Sequence, residues 1–385
     1  MKLFVQPNDV AFFRDGRPFD AGGDHVARLT FPPNPLTFYG AIRAALIAQQ
    51  GASFEKFRKG GHSKELKDVV GDGEKAGSLE IVDFGIALAK GDEGLVRLFP
   101  IPLDIVKEKT SDDIHSRYFV LSPERNHDEV IVNFPHKSLV PLGNSQTEGK
   151  FLTEPSGFLN GEALEAYLSD REIIASHFYK KESVFKPEYR VGIERNTRSH
   201  TAEEGQLYSV EFARLEENAG FAVELDKLNG MDRVFINSKF PLLRLGGEAR
   251  SARYSTTDWS KPTPMPAANG RFKLVFLTPA VFGSGWIPDG IDPTTLGGAI
   301  CKCEAKLVAA AVGRPIGIGG WDILKNDSKP TRRAVPAGSV YFFEATADRK
   351  FPELEPNGFV HVGSSDFTRQ GLGQAIITSW NYIGD

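Results

Sequence analysis

The sequence has little of what a catalytic motif or a covalent scaffold needs. Cys301 and Cys303 are the only thiols among 385 residues. That count excludes a disulfide framework and a four-cysteine zinc site. On one strand the pair would share a face at i and i+2, as two buried thiols. No G-x-x-x-x-G-K-[ST], H-E-x-x-H, C-x-x-C or G-x-S-x-G occurs. The nucleotide phosphate loop, the zinc-protease helix, the thiol-redox pair and the nucleophile elbow are therefore missing. The eight histidines are scattered, none at metal-ligand spacing from another, and neither metal nor cofactor is expected. No apolar run reaches the roughly 18–20 residues of a membrane span. The first residues carry no apolar signal-peptide core, so a soluble protein of a reducing cytoplasm is expected. Positive charge is also not in surplus: 46 Lys and Arg face 50 Asp and Glu, a net of −4. A protein that coats nucleic acid uniformly is ruled out, though a local basic surface is not.

What the chain does have is glycine (39), proline (24) and phenylalanine (28). Disordered chains are poor in aromatics, so this composition describes ordered strands, turns and Gly loops. Its length fits two domains. Strand patterns run over 2–6, 79–88, 95–106 with a bend at Pro100 and Pro102, 173–178, 271–277, 306–312 and 339–344. Residues 204–215 alternate apolar and polar with period two, and 220–225 is the expected hairpin partner. Phe38, Ile42, Ala45 and Leu46 recur at helical spacing and predict a helix over 37–50, with a short one over 163–168. Residues 55–77 read as a mobile insert, and 107–150 as a long irregular excursion. Strands outnumber helices, which predicts an α+β fold with mainly antiparallel sheets.

Charge is unevenly distributed along the chain. The stretches 1–60, 186–200, 239–261 and 313–333 carry nets of +3, +2, +3 and +3, leaving −15 for the remainder. Arginine suits bidentate phosphate contacts and stacking on bases, and glycine lets a backbone approach a ligand closely. With Phe19, Tyr189 and Trp321 as aromatics, these turns suit a clamp on single-stranded nucleic acid. A surface ion-pair network with the interleaved Asp and Glu would use the same arginines, with Asp15 as one partner for Arg43. Trp321 would equally serve as a turn-side core aromatic. Gly371-Leu372-Gly373 reads as a close backbone approach rather than a dinucleotide site. The stretch Phe282-Gly283-Ser284-Gly285-Trp286-Ile287-Pro288 reads either as a partner patch or as core.

Several blocks carry a family resemblance. Phe12-Phe13-Arg14-Asp15-Gly16-Arg17-Pro18-Phe19, then Pro32-Pro33-Asn34-Pro35-Leu36-Thr37 and Gly40-Ala41-Ile42-Arg43, resemble the N-terminal signature of the RAMP superfamily. Gly192-Ile193-Glu194-Arg195, Glu204-Gly205-Gln206-Leu207-Tyr208 and Leu245-Gly246-Gly247-Glu248-Ala249-Arg250 continue it. Gly319-Gly320-Trp321-Asp322, Val335-Pro336-Ala337-Gly338-Ser339-Val340 and Gly371-Leu372-Gly373-Gln374-Ala375 complete it. The ordered set is similar to the third subunit of type III-B (Cmr) CRISPR effectors. The resemblance implies two ferredoxin-like (RRM-like) modules facing each other, with long loop insertions, here 1–185 and 186–385. It implies a non-catalytic RNA-binding subunit that holds the 5′ tag of the CRISPR RNA. Its partners would be that RNA, the large polymerase-like subunit and the backbone RAMP subunit. The expected RNA contacts are Arg14, Arg17, Arg43, Arg195, Arg198, Arg250 and Arg253, with Trp321 as a stacking platform. Arg314, Arg332 and Arg333 are weaker candidates. The competing reading is a metal-independent CRISPR-RNA-processing endoribonuclease with His25, in a Gly-rich loop, as general base.

Overall fold

A computed structural model of the chain describes residues 1–14, 26–49, 54–72, 76–91, 94–109, 116–125, 136, 138–147, 151–195, 198, 201–263, 270–322, 327–346 and 359–384. It is a mixed α/β structure whose larger sheets are mostly antiparallel, as expected. The chain forms two compact units. The first comprises Met1–Leu95, Glu182–Asp258 and Gly317–Arg332; the second comprises Val96–Lys181, Trp259–Ile316 and Arg333–Asp385. The expected single boundary at 185/186 meets a chain that passes between units five times, and only the passage at 181/182 lies near it. The reason is pairing: strands distant in sequence share each sheet, so neither unit is one stretch of chain.

In the first unit, Lys2–Pro7 pairs antiparallel with Ala219–Asp226 on one side and Ser251–Thr256 on the other. Glu80–Ala89 adds beyond Ala219–Asp226, and Leu242–Arg244 adds beyond Ser251–Thr256. The helix Pro35–Gln49 starts on a proline, whose fixed φ and missing N–H suit a first turn. It buries Phe38, Ile42 and Leu46. The Phe38 ring stands 4.9 Å from both Phe84 and Phe221 on the sheet. Each such buried side chain contributes about 1.5–3 kcal/mol before entropy is charged against it.

Residues 220–225 do not pair with 204–215. Ala202–Leu215 forms its hairpin with Phe185–Arg195 instead, with Glu188 opposite Phe212 and Arg190 opposite Val210. Ala219 to Val223 is buried throughout, which suits a strand covered on both faces rather than a half-exposed hairpin arm. The region 55–77 is not a structureless insert. It contains the helices Phe54–Arg58 and Lys64–Val70, the latter capped by Ser63 Oγ accepting from Leu66 N–H at 3.2 Å. Leu66, Val69 and Val70 are buried at helical spacing that the surrounding lysines and glutamates obscure. Residues 173–178 form a single 3-10 turn, Ala175–His177, before a two-residue strand.

The second unit is built on a six-stranded antiparallel sheet. Its order is Gly297–Ile300, Cys303–Ala311, Val340–Ala345, Arg271–Phe276, Gln374–Ser379 and Val360–His361. One face packs Phe272, Leu274, Tyr341 and Phe343 against Phe282, Ile287 and Leu296. Phe282 and Ile287 are thus core, and their stretch is not an open patch. The two cysteines do not lie on one strand: Cys301 and Lys302, at φ 49° and 62°, form the tight turn and Cys303 starts the next strand, and both pack on the same core. At Gly373, φ is +70°, and a Cβ would collide with the Val362 carbonyl, which is the close backbone approach expected there.

The other face of the sheet holds the helix Gly161–Leu168, capped by Asn160 Oδ1 accepting from Ala163 N–H at 2.9 Å. Between helix and sheet lies a buried ionic contact. Lys273 Nζ is 2.8 Å from Asp104 Oδ2 and 4.1 Å from the centre of the Tyr167 ring. Tyr167 Oη donates to the same carboxylate at 2.7–2.8 Å. Burial, then the Asp104 charge, raises the Tyr167 hydroxyl well above its ordinary value, so it stays a donor. Removing one partner of such a pair leaves an uncompensated charge in the interior. Asp104→Asn is therefore expected to cost about 3–5 kcal/mol. The double variant Asp104→Leu with Lys273→Met should recover most of that in urea denaturation. A double variant as unstable as the single one would show that packing, not charge, holds this helix.

Candidate nucleic-acid interface

The described residues among the eight expected to contact RNA belong to the first unit. The structure brings some of them together and leaves others apart. Arg17 lies outside the described residues, as do His25 and Phe19, and for Arg195 only the backbone, paired with Ala202, is described. Arg14 is exposed at an isolated bridge to Leu29. Arg198 is exposed in a turn, and Arg253 is exposed on its strand, with Nε donating to Gln6 Oε1 at 3.3 Å.

The densest charge gathers where two of the sequence blocks meet. The turn joining Leu242–Arg244 to Ser251–Thr256 begins at Gly246, where φ is +75°. A Cβ at this position would collide with the Phe12 carbonyl oxygen. Gly247 N–H donates to that oxygen at 3.0 Å. Glu248 and Ala249 follow at φ 56° and 50°, and Leu245 N–H closes the turn on the Arg250 carbonyl at 2.8 Å. Arg250 thereby reaches the Phe212 ring, its guanidinium 4.9 Å from the ring centre. Arg190 lies 5.2 Å from the same centre, and Phe12 packs at 5.3 Å between ring centroids.

Strand alternation does the rest. Positions 188 and 190, with 212 and 214 across from the same face, project together. Asp9 then sits beneath three guanidinium groups: Arg214 at 3.0 Å, Arg190 at 3.3 Å and Arg250 at 3.8 Å. Glu188 takes Arg190 at 2.7 Å and also binds Arg214. Three positive charges against two negative ones leave a net of +1. Partial burial would raise the Asp9 carboxyl, but the Val10 N–H and the hydrogen bonds from Arg214 and Arg190 outweigh it and hold it below its ordinary value. Arg214, then Arg190, lower Glu188 in the same way. Arg250 Nε is buried with no hydrogen-bond partner among the described residues.

A second meeting point joins the helix Pro35–Gln49 to the 319–322 block. Arg43 is half-buried, 5.8 Å from the Tyr39 ring centre. Burial lowers its guanidinium from its ordinary value, against the opposing pull of Tyr39 and Asp322. Asp322, beside Trp321, is the acid this arginine faces; Asp15 lies outside the described residues. Trp321 pairs opposite Ser328 and is 56% exposed, so it is an open aromatic surface and not core. Tyr189 is exposed too, with Oη donating to Glu211 Oε1 at 3.1 Å. Among the described residues no group of His, Cys, Asp or Glu is placed to hold a metal ion.

Sequence reading missed Asp9, Glu188, Arg190, Phe212 and Arg214. The i, i+2 spacing of Glu188 with Arg190, and of Phe212 with Arg214, was the available signal. Their convergence needs the register of the hairpin, which spacing alone does not supply.

The comparisons with known proteins give the family. A model of CRISPR-associated proteins matches residues 3–380, nearly the whole chain, and the protein is a type III CRISPR effector subunit. The model is that of Cas_Cmr3, and the chain belongs to this family. No curated protein matches it. Among solved structures, a chain of the type III-B Cmr-beta complex bound to cognate target RNA is 15% identical, with a TM-score of 0.49, over 89% of this chain and 86% of that one. The same complex with AMPPnP also present gives 14% and 0.48 over the same shares. A chain of the Csm3-Csm4 subcomplex of a type III-A interference complex gives 14% and 0.40 over 99% and 100%.

The cluster makes an electrostatic prediction. Asp9→Asn removes one of its two negative charges and frees arginine donors, so binding to a polyanion should strengthen. The variant should elute from a heparin column at higher salt than the parent, and Arg250→Ala at lower salt. Identical elution of all three would show that the cluster does not face polyanions. The depressed carboxyls also set a pH window: both stay ionised above their ordinary range and lose the arginines only as pH falls below it. The elution difference between Asp9→Asn and the parent should therefore hold at neutral pH and vanish in strong acid, while that of Arg250→Ala should persist.

Proposed function

We propose that this subunit is a non-catalytic RNA-binding component of a type III-B effector, working in the cytoplasm. It is built of two ferredoxin-like modules, holds the constant 5′ tag of the CRISPR RNA, and bridges the large polymerase-like subunit to the backbone RAMP subunit. One observation carries the reading: Arg190, Arg214 and Arg250 converge on Asp9, and two of them, Arg190 and Arg250, lie over the Phe212 ring. Guanidinium groups held by carboxylates beside an aromatic ring suit phosphates and splayed bases. Arg14, Arg43, Arg198 and Arg253 add charge on the same unit, and Trp321 offers a stacking face. A tag of constant sequence is worth reading with a few fixed contacts, while the rest of the guide is read by base pairing.

Arg14→Ala together with Arg250→Ala is expected to weaken capture of tagged RNA by the assembled complex. The dependence of log affinity on log salt should flatten by about one unit for each phosphate that the variant no longer neutralises. Unchanged capture over a range of salt would remove these arginines from the interface. Incubation of the purified chain with repeat RNA in EDTA should yield no cleavage. A 2′,3′-cyclic phosphate product that disappears in His25→Ala would instead make this subunit a nuclease.

A further inference from the structure

A second surface of the first unit takes no part in the arginine cluster. The strand Leu242–Arg244 is last in its sheet order, so one edge of it has no neighbour among the described residues. Its inner pairing fixes which peptide groups are left over. Tyr254 N–H donates to the Pro241 carbonyl at 2.9 Å, and Leu245 N–H to the Arg250 carbonyl at 2.8 Å. Leu243 stands opposite Ala252 between them. Odd-numbered residues therefore turn their peptide groups inward. The Leu242 carbonyl and both the N–H and the carbonyl of Arg244 turn outward.

Two large apolar side chains stand at this edge, Phe240 and Leu242, exposed by 77% and 46%. One exposed leucine is ordinary, but an exposed Phe and Leu two residues apart on an edge with no neighbour among the described residues mark a surface that a partner covers. Lys239, Arg244 and Arg253 are exposed around them, Arg253 directly opposite Leu242 in the register. The rim is thus positive and the centre apolar.

We propose that this edge receives an extended segment of a partner protein by strand addition, the segment alternating apolar side chains with carboxylates. Main-chain bonds to Leu242 and Arg244 would supply affinity, and the basic rim would select the acidic sequence. A second copy of this chain does not fit, because pairing edge to edge would bring the same cations together. Nor does RNA: Phe240 offers one ring, but Leu242 has no π-face for a base and the outward peptide groups match another peptide. The inference rests on the chain being a subunit of a larger complex, and not on its binding RNA.

The test is a titration of the full chain with a fluorescein-labelled octapeptide of alternating valine and glutamate. A valine–lysine octapeptide serves as the control. The glutamate peptide should bind, slow amide exchange at Arg244, and exceed the lysine peptide in affinity by about tenfold or more. Arg244→Pro deletes the outward N–H without touching the inner ladder, and should lower affinity about tenfold. Arg244→Ala, which keeps the N–H, should lose less. No binding of the glutamate peptide, equal binding of the two peptides, or unchanged affinity in Arg244→Pro would overturn the proposal. Protection of the Arg244 amide by a uridine octamer in place of the peptide would also overturn it and give the edge to RNA. Tagged-RNA capture by Arg244→Pro complexes should stay at the parent level, which separates this outcome from a failure of the RNA-binding reading.

Discussion

The carbonyl of Phe12 is the point on which the charged site depends. It accepts from Gly247 N–H and lies so near Gly246 that any side chain there would collide with it. Two segments from opposite parts of the sequence are fixed to each other by this contact. Asp9 is carried under the guanidinium groups on one side, and Arg250 is carried over Phe212 on the other. The turn bears a cost for this. Left-handed backbone at Glu248 and Ala249 is unfavourable by about 1–2 kcal/mol per residue for side chains with a Cβ. The packing of Phe12 on Phe212 and the ion pairs around Asp9 offset it, so the strain is held by contacts that the turn itself makes possible.

The second unit meets a different constraint with a similar device. Lys273 lies in a strand whose neighbours are apolar, and its charge is tolerated because Asp104 and the Tyr167 ring surround it. Buried pairs of this kind add little net stability but penalise every arrangement that separates them. The contact therefore specifies where the helix Gly161–Leu168 sits more than it strengthens the unit.

Much of the fold was legible where a local pattern decides it. The alternation of 204–215, the apolar run after Arg271 and the spacing of Phe38, Ile42 and Leu46 all became the elements they predict. What failed was non-local. The partner of Ala202–Leu215 is the strand before it, because the strand after it is drawn into a central sheet by burial on both faces. The helix Lys64–Val70 hid because its four charged residues outnumber the three apolar residues that anchor it. The recognised blocks pointed to Arg250 and to the Gly246 turn, yet not to Arg190 or Arg214, whose role appears only when the hairpin register sets them beside Asp9. A long-range register carries no signature within any single stretch of sequence.

The ion pairs bear on whether these arginines are available to a ligand. Arg190 and Arg214 are matched by Asp9 and Glu188, which at first favours a self-contained surface network over an interface. The magnitudes favour the other conclusion. Exposed pairs of this kind contribute about 0–1 kcal/mol each, because solvent already satisfies both charges. Arginine–phosphate contacts are bidentate, charge-assisted and stronger than neutral hydrogen bonds. A phosphate placed against the cluster need not displace the carboxylates, since each guanidinium has five N–H donors and the acids occupy only some of them. The carboxylates then act as props: they fix the planes of Arg190 and Arg214 over the sheet and reduce the side-chain entropy lost on binding. They also keep the net charge at +1, enough to attract one strand at a defined place. With a total of −4 over the whole chain, that balance fits the proposed hold on one RNA segment better than adhesion to polyanions at large.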